Sequence, residues 1–198
     1  MAHRSAITAI ILCGGRATRL GGVDKPLLTV GDKALLEHVI DRVRPQVDAL
    51  LLSCGIATPA YEAFGHPVVE DRHAGQGPLG GFVSALPQVR TPWVLTTPAD
   101  TPFLPDNLVA SLAVVCGRAG AAVVTAGGHR QNLAMLLDAE HSQSLAAFYE
   151  DGGRAIHRWL VANAVTEVDF PAGEFLNVNT PDDLAAAEAR RMSGLEAG

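Results

Sequence analysis

The residues best suited to chemistry lie between Leu12 and Lys25, in the run LCGGRATRLGGVDK. Gly14 and Gly15 lack the Cβ atoms that would hold a ligand off the backbone. Both also tolerate positive φ, so consecutive N–H groups can turn inward around an anion. Gly21 and Gly22 repeat that freedom, and Arg16, Arg19 and Lys25 bring three cations into a span of ten residues. The chain owns only two lysines, Lys25 and Lys33, so a lysine here stands out from the composition. Backbone donors with cations suit a triphosphate, whose departing pyrophosphate accumulates negative charge. The same composition also fits a glycine-rich surface loop with a solvated basic face, in which an Asp24–Lys25 pair carries little energy. This loop contains neither GxxxxGK[ST] nor GxGxxG, so it is neither a P-loop nor the dinucleotide fingerprint.

Further polar residues follow apolar runs. Ser53 closes ALLLS (49–53), Asp71 follows VVE, and Asp100 follows WVLTT (93–97) inside PADTP. A carboxylate held on a rigid turn between two prolines suits Mg²⁺, which takes one or two protein carboxylates and completes its shell with phosphate oxygens and water. Asp71 and Asp100 read equally as turn acids after strands, and Asn177 and Asn179 in NVNTP as residues that cap or turn.

The elements that position these groups alternate. Apolar β-rich runs at 7–12, 49–53, 68–69, 93–97, 121–125 and 133–137 read as strands, with a short one at 27–30 and an alternating one at 166–170. Helical patterns fall at 34–43, ended by Pro45, at 59–64, from the glycine loop 74–81 to about 86, from Pro105 to about 116, at 142–150 and at 154–162. Thr180-Pro181-Asp182-Asp183 has the form of a capping box opening an alanine-rich helix to about 191, with a frayed tail at 192–198. This order predicts an α/β fold: three α/β/α layers around a Rossmann-like, mostly parallel sheet with right-handed crossovers. Ligands in such sheets bind beyond the carboxyl ends of the strands, where Gly14, Gly15, Ser53, Asp71 and Asp100 fall.

Composition narrows the class. The chain has 198 residues, 48% of them apolar and 18% charged, enough for one domain with a true core and unlike a disordered chain. Fifteen basic against 21 acidic residues leave a net charge of −6, which argues against nucleic acid as a partner. Three scattered cysteines, Cys13, Cys54 and Cys116, form no CxxC pair and read as thiols in a reducing compartment. No signal segment or membrane span is visible, and a cytoplasmic protein is expected.

The segment LCGGRATRLGGVDKPLL resembles the signature LxGGxxxRxGGxDKxL of the molybdenum cofactor guanylyltransferases, a family of Rossmann-like nucleotidyltransferases. The likeness continues through VVED at 68–71, GPLGG at 77–81, PADTPFLP at 98–105 and FLNVNTPDDL at 175–184, in order and spacing across almost the whole chain. It implies a nucleotide-diphospho-sugar-transferase-like fold over residues 1–198, with the nucleotide-binding part at about 1–105 and the acceptor-binding part at about 106–190. It also implies transfer of GMP from GTP to the terminal phosphate of molybdenum-molybdopterin, with Mg²⁺ as cofactor and pyrophosphate released.

By this resemblance Leu12, Cys13 and Gly14 line the guanine and ribose side, and Gly15, Arg16, Gly22 and Asp24 complete the nucleotide loop. Arg19 and Lys25 contact the triphosphate, and Ser53 and Asp71 contact the nucleoside. Gly77, Pro78, Leu79, Gly80 and Gly81 frame the base, Asp100 holds the metal, and Asn177 and Asn179 face the pterin side. The implied catalytic set is Arg19, Lys25 and Asp100. No protein nucleophile is needed, because the acceptor phosphate is already ionised; of the histidines only His73, beside Asp71, lies near the expected site. A molybdopterin insertion protein and molybdoenzyme chaperones are the implied protein partners.

The chain departs from the family pattern at several positions. Cys13 stands for a usual Ala, Leu20 for Met and Ser53 for a frequent Asn. The segment GGHRQNLAMLL at 127–137 lacks the His-Pro or Glu-Pro step often seen there, leaving Arg130, Gln131 and Asn132 as polar groups for the pterin. A molybdenum cofactor cytidylyltransferase, a sugar-phosphate nucleotidyltransferase and a nucleotide-sensing module without turnover remain alternatives.

Overall fold

The computed structural model describes residues 6–14, 16–17, 23–72, 75 and 77–196. The chain begins with β1 (Ile7–Leu12), all six of whose residues are buried, as a strand covered on both faces requires. Four short strands follow, β2 (Arg16–Ala17) pairing with β3 (Val23–Asp24) and β4 (Thr29–Val30) with β5 (Lys33–Ala34). Next come α1 (Leu35–Val43), β6 (Ala49–Cys54), α2 (Pro59–Glu62), β7 (Val68–Glu70), α3 (Pro78–Ala85), β8 (Trp93–Pro98) and α4 (Leu108–Ala119). The remainder is β9 (Ala121–Ala126), β10 (His129–Asp138), α5 (Ala139–Glu150), α6 (Ile156–Ala162), β11 (Thr166–Phe170) and α7 (Pro181–Glu196).

Seven strands form the central sheet in the order β7-β6-β1-β8-β10-β9-β11. β7, β6, β1 and β8 are mutually parallel, and β11 is parallel to β9. β10 alone runs antiparallel to both of its neighbours in that sheet. The chain leaves β1 for β6 on one side and later returns to β8 on the other. That reversal opens a crevice at the carboxyl ends of β1, β6 and β8.

Side chains alternate across the sheet and divide the core in two. Ile7, Ala9 and Ile11 of β1 pack with α1 and α4, through Leu36, Val39 and Val43 and through Leu108, Leu112 and Cys116. Ile10 and Leu12 face the other way, toward Leu79 and Phe82 of α3, Leu145 of α5 and Trp159 of α6. Each such side chain fully withdrawn from water contributes roughly 1.5–3 kcal/mol before chain entropy is set against it. A third cluster of Val30, Leu35, Val178 and Ala187 seats α7 against the β4–β5 pair. No helix among the described residues is long and apolar enough to cross a membrane.

Several expected bounds need correction: the strand expected at 27–30 is only Thr29–Val30, after a 3-10 turn through Leu27, and the helix expected from 142 starts at Ala139. The fourth helix begins at Leu108, not at Pro105, because the chain first makes a turn in which Leu108 N donates to Pro105 O at 3.2 Å. Gln46 holds that start in place: its Nε2 donates to Pro105 O and its Oε1 accepts from Val109 N, each at 2.9 Å. β10 spans ten residues rather than the five of LAMLL, since its polar first half pairs with β9. α7 continues through Glu196, across much of the stretch expected to fray.

Candidate active site

The strand ends are tied beyond the strands themselves. Cys13 N donates to Ser53 O at 2.7 Å, Asp71 N to Cys54 O at 2.8 Å and Ala99 N to Leu12 O at 3.1 Å. These bonds extend the parallel ladder by a residue, so Cys13, Gly14, Ser53, Asp71 and Asp100 emerge along one edge. They fall into two groups on either side of the crevice.

The first group centres on Asp71. Its Oδ1 accepts a hydrogen bond from Ser53 Oγ at 3.0 Å. Burial pushes the Asp71 carboxyl above the ordinary carboxylate range, and the Ser53 hydrogen bond opposes that rise. The loop behind it is fastened to α3 by Ser84, whose Oγ accepts from Arg72 N at 2.9 Å and donates to Gly80 O at 2.8 Å. Gly77 precedes α3 with φ of +76°, a backbone that side chains rarely adopt, and Pro78 then starts the helix. Gly81 matters for space. A Cβ there would lie 2.5 Å from Ser53 Oγ, 3.0 Å from Asp71 Oδ1 and 3.6 Å from Leu12 Cδ2. Only a bare backbone lets α3 approach the Ser53–Asp71 pair this closely. A Cβ on Gly14 would lie 3.9 Å from Asp71 Oδ2, so the end of β1 faces the same carboxylate.

The second group centres on Lys25. It opens a 3-10 turn, Lys25–Leu27, with Pro26 fixing the backbone after it. The ammonium is largely buried and donates to Asp100 Oδ2 and, at 2.5 Å, to Asn179 Oδ1. Asp100 is held by its own backbone, since Val178 N donates to Asp100 O at 3.0 Å. Asn177 and Asn179 flank the fully buried Val178, with Asn177 half-buried and Asn179 exposed. The predicted capping box is present: Asp183 Oδ2 accepts from Thr180 N at 2.8 Å and from Asn179 N at 2.9 Å, while Asp183 N donates to Thr180 Oγ1 at 3.2 Å. The bond from Asn179 N, with help from Thr180, holds the Asp183 carboxyl below its usual range. The α7 cap therefore sets the backbone of a residue that touches Lys25.

Asp100 Oδ1 is buried and has no hydrogen-bond partner. An acceptor of this kind beside a carboxylate oxygen held by an ammonium fits a divalent cation bound through one carboxylate. Among the described residues no cluster of three or more His, Cys, Asp or Glu is built to enclose a metal by itself.

The structure brings Leu12, Gly14, Ser53 and Asp71 to one side of the crevice and Lys25, Asp100 and Asn179 to the other. Cys13 departs from expectation: its side chain alternates to the opposite face of the sheet from Leu12 and is buried in the core there, with Sγ donating to Ile11 O at 3.6 Å, so only its backbone faces the site. Arg16 is described through its backbone, paired with Asp24. Gly15, Arg19, Gly22 and His73 lie outside the described residues. Tyr61 escaped the sequence reading. It is buried in α2 and donates from its hydroxyl to Asp24 Oδ1 at 2.9 Å, fixing the residue before Lys25. Burial pushes its phenol far up, so it acts as a donor. Nothing local marks Tyr61, because its partner lies 37 positions away.

The chain is similar to several known proteins. The profile of the MobA-like NTP transferase domain matches residues 9–166. A molybdenum cofactor guanylyltransferase of Cupriavidus taiwanensis is 39% identical over 199 positions, covering 96% of this chain and all 100% of that protein. The solved molybdopterin-guanine dinucleotide biosynthesis protein A of Archaeoglobus fulgidus superposes with a TM-score of 0.74 at 21% identity, over 94% of this chain and 99% of that one. A Mycobacterium tuberculosis protein solved in complex with manganese superposes at 0.73 with 22% identity, over 93% of this chain and 99% of that one. The two structural likenesses establish the nucleotidyltransferase fold. The profile and the full-length relative show that this chain belongs to the molybdenum cofactor guanylyltransferase family.

Proposed function

We infer that the protein transfers GMP from GTP to the terminal phosphate of molybdenum-molybdopterin, forming the guanine dinucleotide cofactor and releasing pyrophosphate. The carrying observation is the contact between Lys25 and Asp100 at the β1–β8 crevice, across from the Ser53–Asp71 pair. In the transfer, an oxygen of the acceptor phosphate bonds to the α-phosphorus of GTP, and the bond from that phosphorus to the β-phosphate bridge breaks. The attacking oxygen is already ionised, so the protein's task is alignment and charge compensation.

Each residue then has a defined role. Asp71 accepts from guanine N1–H and the 2-amino group, and Ser53 holds the carboxylate in place for them. Ser53 stands one bond further from the base than a longer Asn would, so it serves by orienting Asp71. Leu12, the backbone at Cys13 and the α3 segment 77–81 wall the base. Lys25, with Arg19 and Arg16, bears on the phosphates. Asp100 would hold Mg²⁺ through Oδ1. When bound, that ion polarises the α-phosphate and offsets the charge gathering on pyrophosphate. Asn179 keeps the Lys25 ammonium at this spot.

The thiols take no part. Burial pushes Cys13 well up, Cys54 to about 11 and Cys116 to about 12, so none is a nucleophile near neutral pH. All three are unpaired, which supports a reducing cytoplasm as the place of action. The product then passes to molybdoenzymes or their chaperones, with a molybdopterin insertion protein supplying the acceptor.

The test is turnover of purified protein with Mg²⁺, molybdenum-molybdopterin and each nucleoside triphosphate in turn. Pyrophosphate release with GTP alone, matched by dinucleotide formed, is expected. Equal release with CTP would replace the reading by cytidylyl transfer, and GTP binding without release on any acceptor would replace it by nucleotide sensing.

A further inference from the structure

The sheet continues past Asp100 on the side away from Asp71. Because β10 runs antiparallel to β8, with Met135 opposite Thr96, its first residues reach the edge where β8 ends. The register slips there. Gln131 lies opposite Val124 and Met135 opposite Val123, leaving 132–134 as a bulge. Thr96 Oγ1 donates to Leu133 O at 2.9 Å and pins it. Bulges of this kind re-aim side chains near active sites.

Among the described residues, three buried side-chain atoms lack a hydrogen-bond partner. Two of them, Asp100 Oδ1 and Asn132 Oδ1, stand at this same edge; the third, Ser142 Oγ, belongs to α5. A buried acceptor left unpaired is destabilising, and a ligand donor removes that cost. The neighbouring polar side chains are engaged. Arg130 pairs with Glu167 across the sheet, and Gln131 Nε2 donates to His129 O at 3.4 Å.

We propose that Asn132 is a recognition residue for the pterin acceptor, its Oδ1 taking an N–H of the 2-amino-4-oxo edge of the ring. A carboxamide presents an acceptor next to a donor, and that edge of a pterin presents N–H donors next to a carbonyl, so the two are complementary. The guanine base carries the same edge and is met by Asp71 at the far end of the crevice. One acceptor on each side of Asp100 thus receives one of the two chemically similar rings. The proposal rests on the guanylyl-transfer reading for the identity of the acceptor.

The test compares wild-type protein with Asn132→Ala and Asn132→Ser, each checked for folding by thermal melting. Molybdopterin binding is followed by fluorescence without nucleotide, and KM is measured for acceptor and for GTP. Loss of one such bond should raise the acceptor Kd and KM about tenfold, with the KM for GTP and the saturating kcat unchanged. Acceptor binding equal to wild type in a folded variant overturns the proposal. So does an equal loss for GTP and acceptor, or a wild-type protein that binds no pterin. Wild-type protein that binds pterin without turnover would sink the transfer reading alone, and the variants' binding would still decide the role of Asn132.

Discussion

The ammonium of Lys25 rests on the carboxylate of Asp100, joining two residues 75 positions apart at the crevice between β1 and β8. The same ammonium reaches Asn179, 154 positions from Lys25 along the chain, so three distant segments meet at one cation. One oxygen of this carboxylate is on the lysine and the other is buried without a partner, the oxygen we propose for the metal. Asp100→Asn removes the charge and keeps the shape. Its kcat should fall by roughly 10²-fold or more, with Mn²⁺ binding in the presence of GTP lost by paramagnetic resonance. Turnover within threefold of wild type would remove Asp100 from the metal role.

Gly81 tests the base side through space. Gly81→Ala places a Cβ 2.5 Å from Ser53 Oγ, a separation that forces the Ser53–Asp71 pair to shift. GTP affinity should fall about tenfold, the loss expected when a charged hydrogen bond is misplaced, while the melting temperature changes little. Ser53→Ala in the same chain removes the clashing oxygen, so the double variant should bind GTP better than additivity predicts. Strict additivity in calorimetry would separate Gly81 from that pair.

The Asp71 carboxyl, raised by burial, carries a pH signature. A raised folded-state pKa means that this group's contribution to stability is full at acid pH and is lost as pH rises through the folded value. Binding follows the opposite course. The ionised carboxylate accepts from guanine, so affinity for guanosine, which has no phosphate to titrate, should fall as pH drops through a value above the ordinary carboxylate. Asp71→Asn should flatten that profile and weaken guanosine at neutral pH. An unchanged profile in the variant would place the titrating group elsewhere.

Asp183 makes the reverse case. Its carboxyl is held below the usual range by the Asn179 and Thr180 amides, so it adds stability above the unfolded value and loses it as pH falls through the folded one. Asp183→Ala should cost about 1 kcal/mol, the usual worth of a helix cap. Because the cap sets Asn179, it should also weaken GTP binding more than its stability loss alone explains. A variant destabilised in acid and neutral solution alike would contradict the ionic origin of the cap.

Much of this was legible in the sequence, and the exceptions share a cause. ITAIIL is buried on both faces, as its unbroken apolar character demands, and the Thr180–Asp183 box caps α7 as its spacing predicts. Strand exits pointed to Ser53, Asp71 and Asp100 because the sheet places polar residues there. The bulge at 132–134 was not readable, since it arises from pairing to two neighbours with different registers. Nor was Tyr61, whose partner Asp24 is set by tertiary packing. The start of α4 at Leu108 is not legible locally either, because Gln46, 63 positions before Val109, supplies its cap. Local pattern carries local structure, and contacts between distant segments carry the rest.

A crystal structure of the protein with GTP and Mn²⁺ tests the central claim most directly. The account predicts an anomalous manganese peak at bonding distance from Asp100 Oδ1, Lys25 on the phosphates and the guanine edge on Asp71. Manganese or nucleotide bound away from the β1–β8 crevice, with Lys25 still on Asp100, would contradict it.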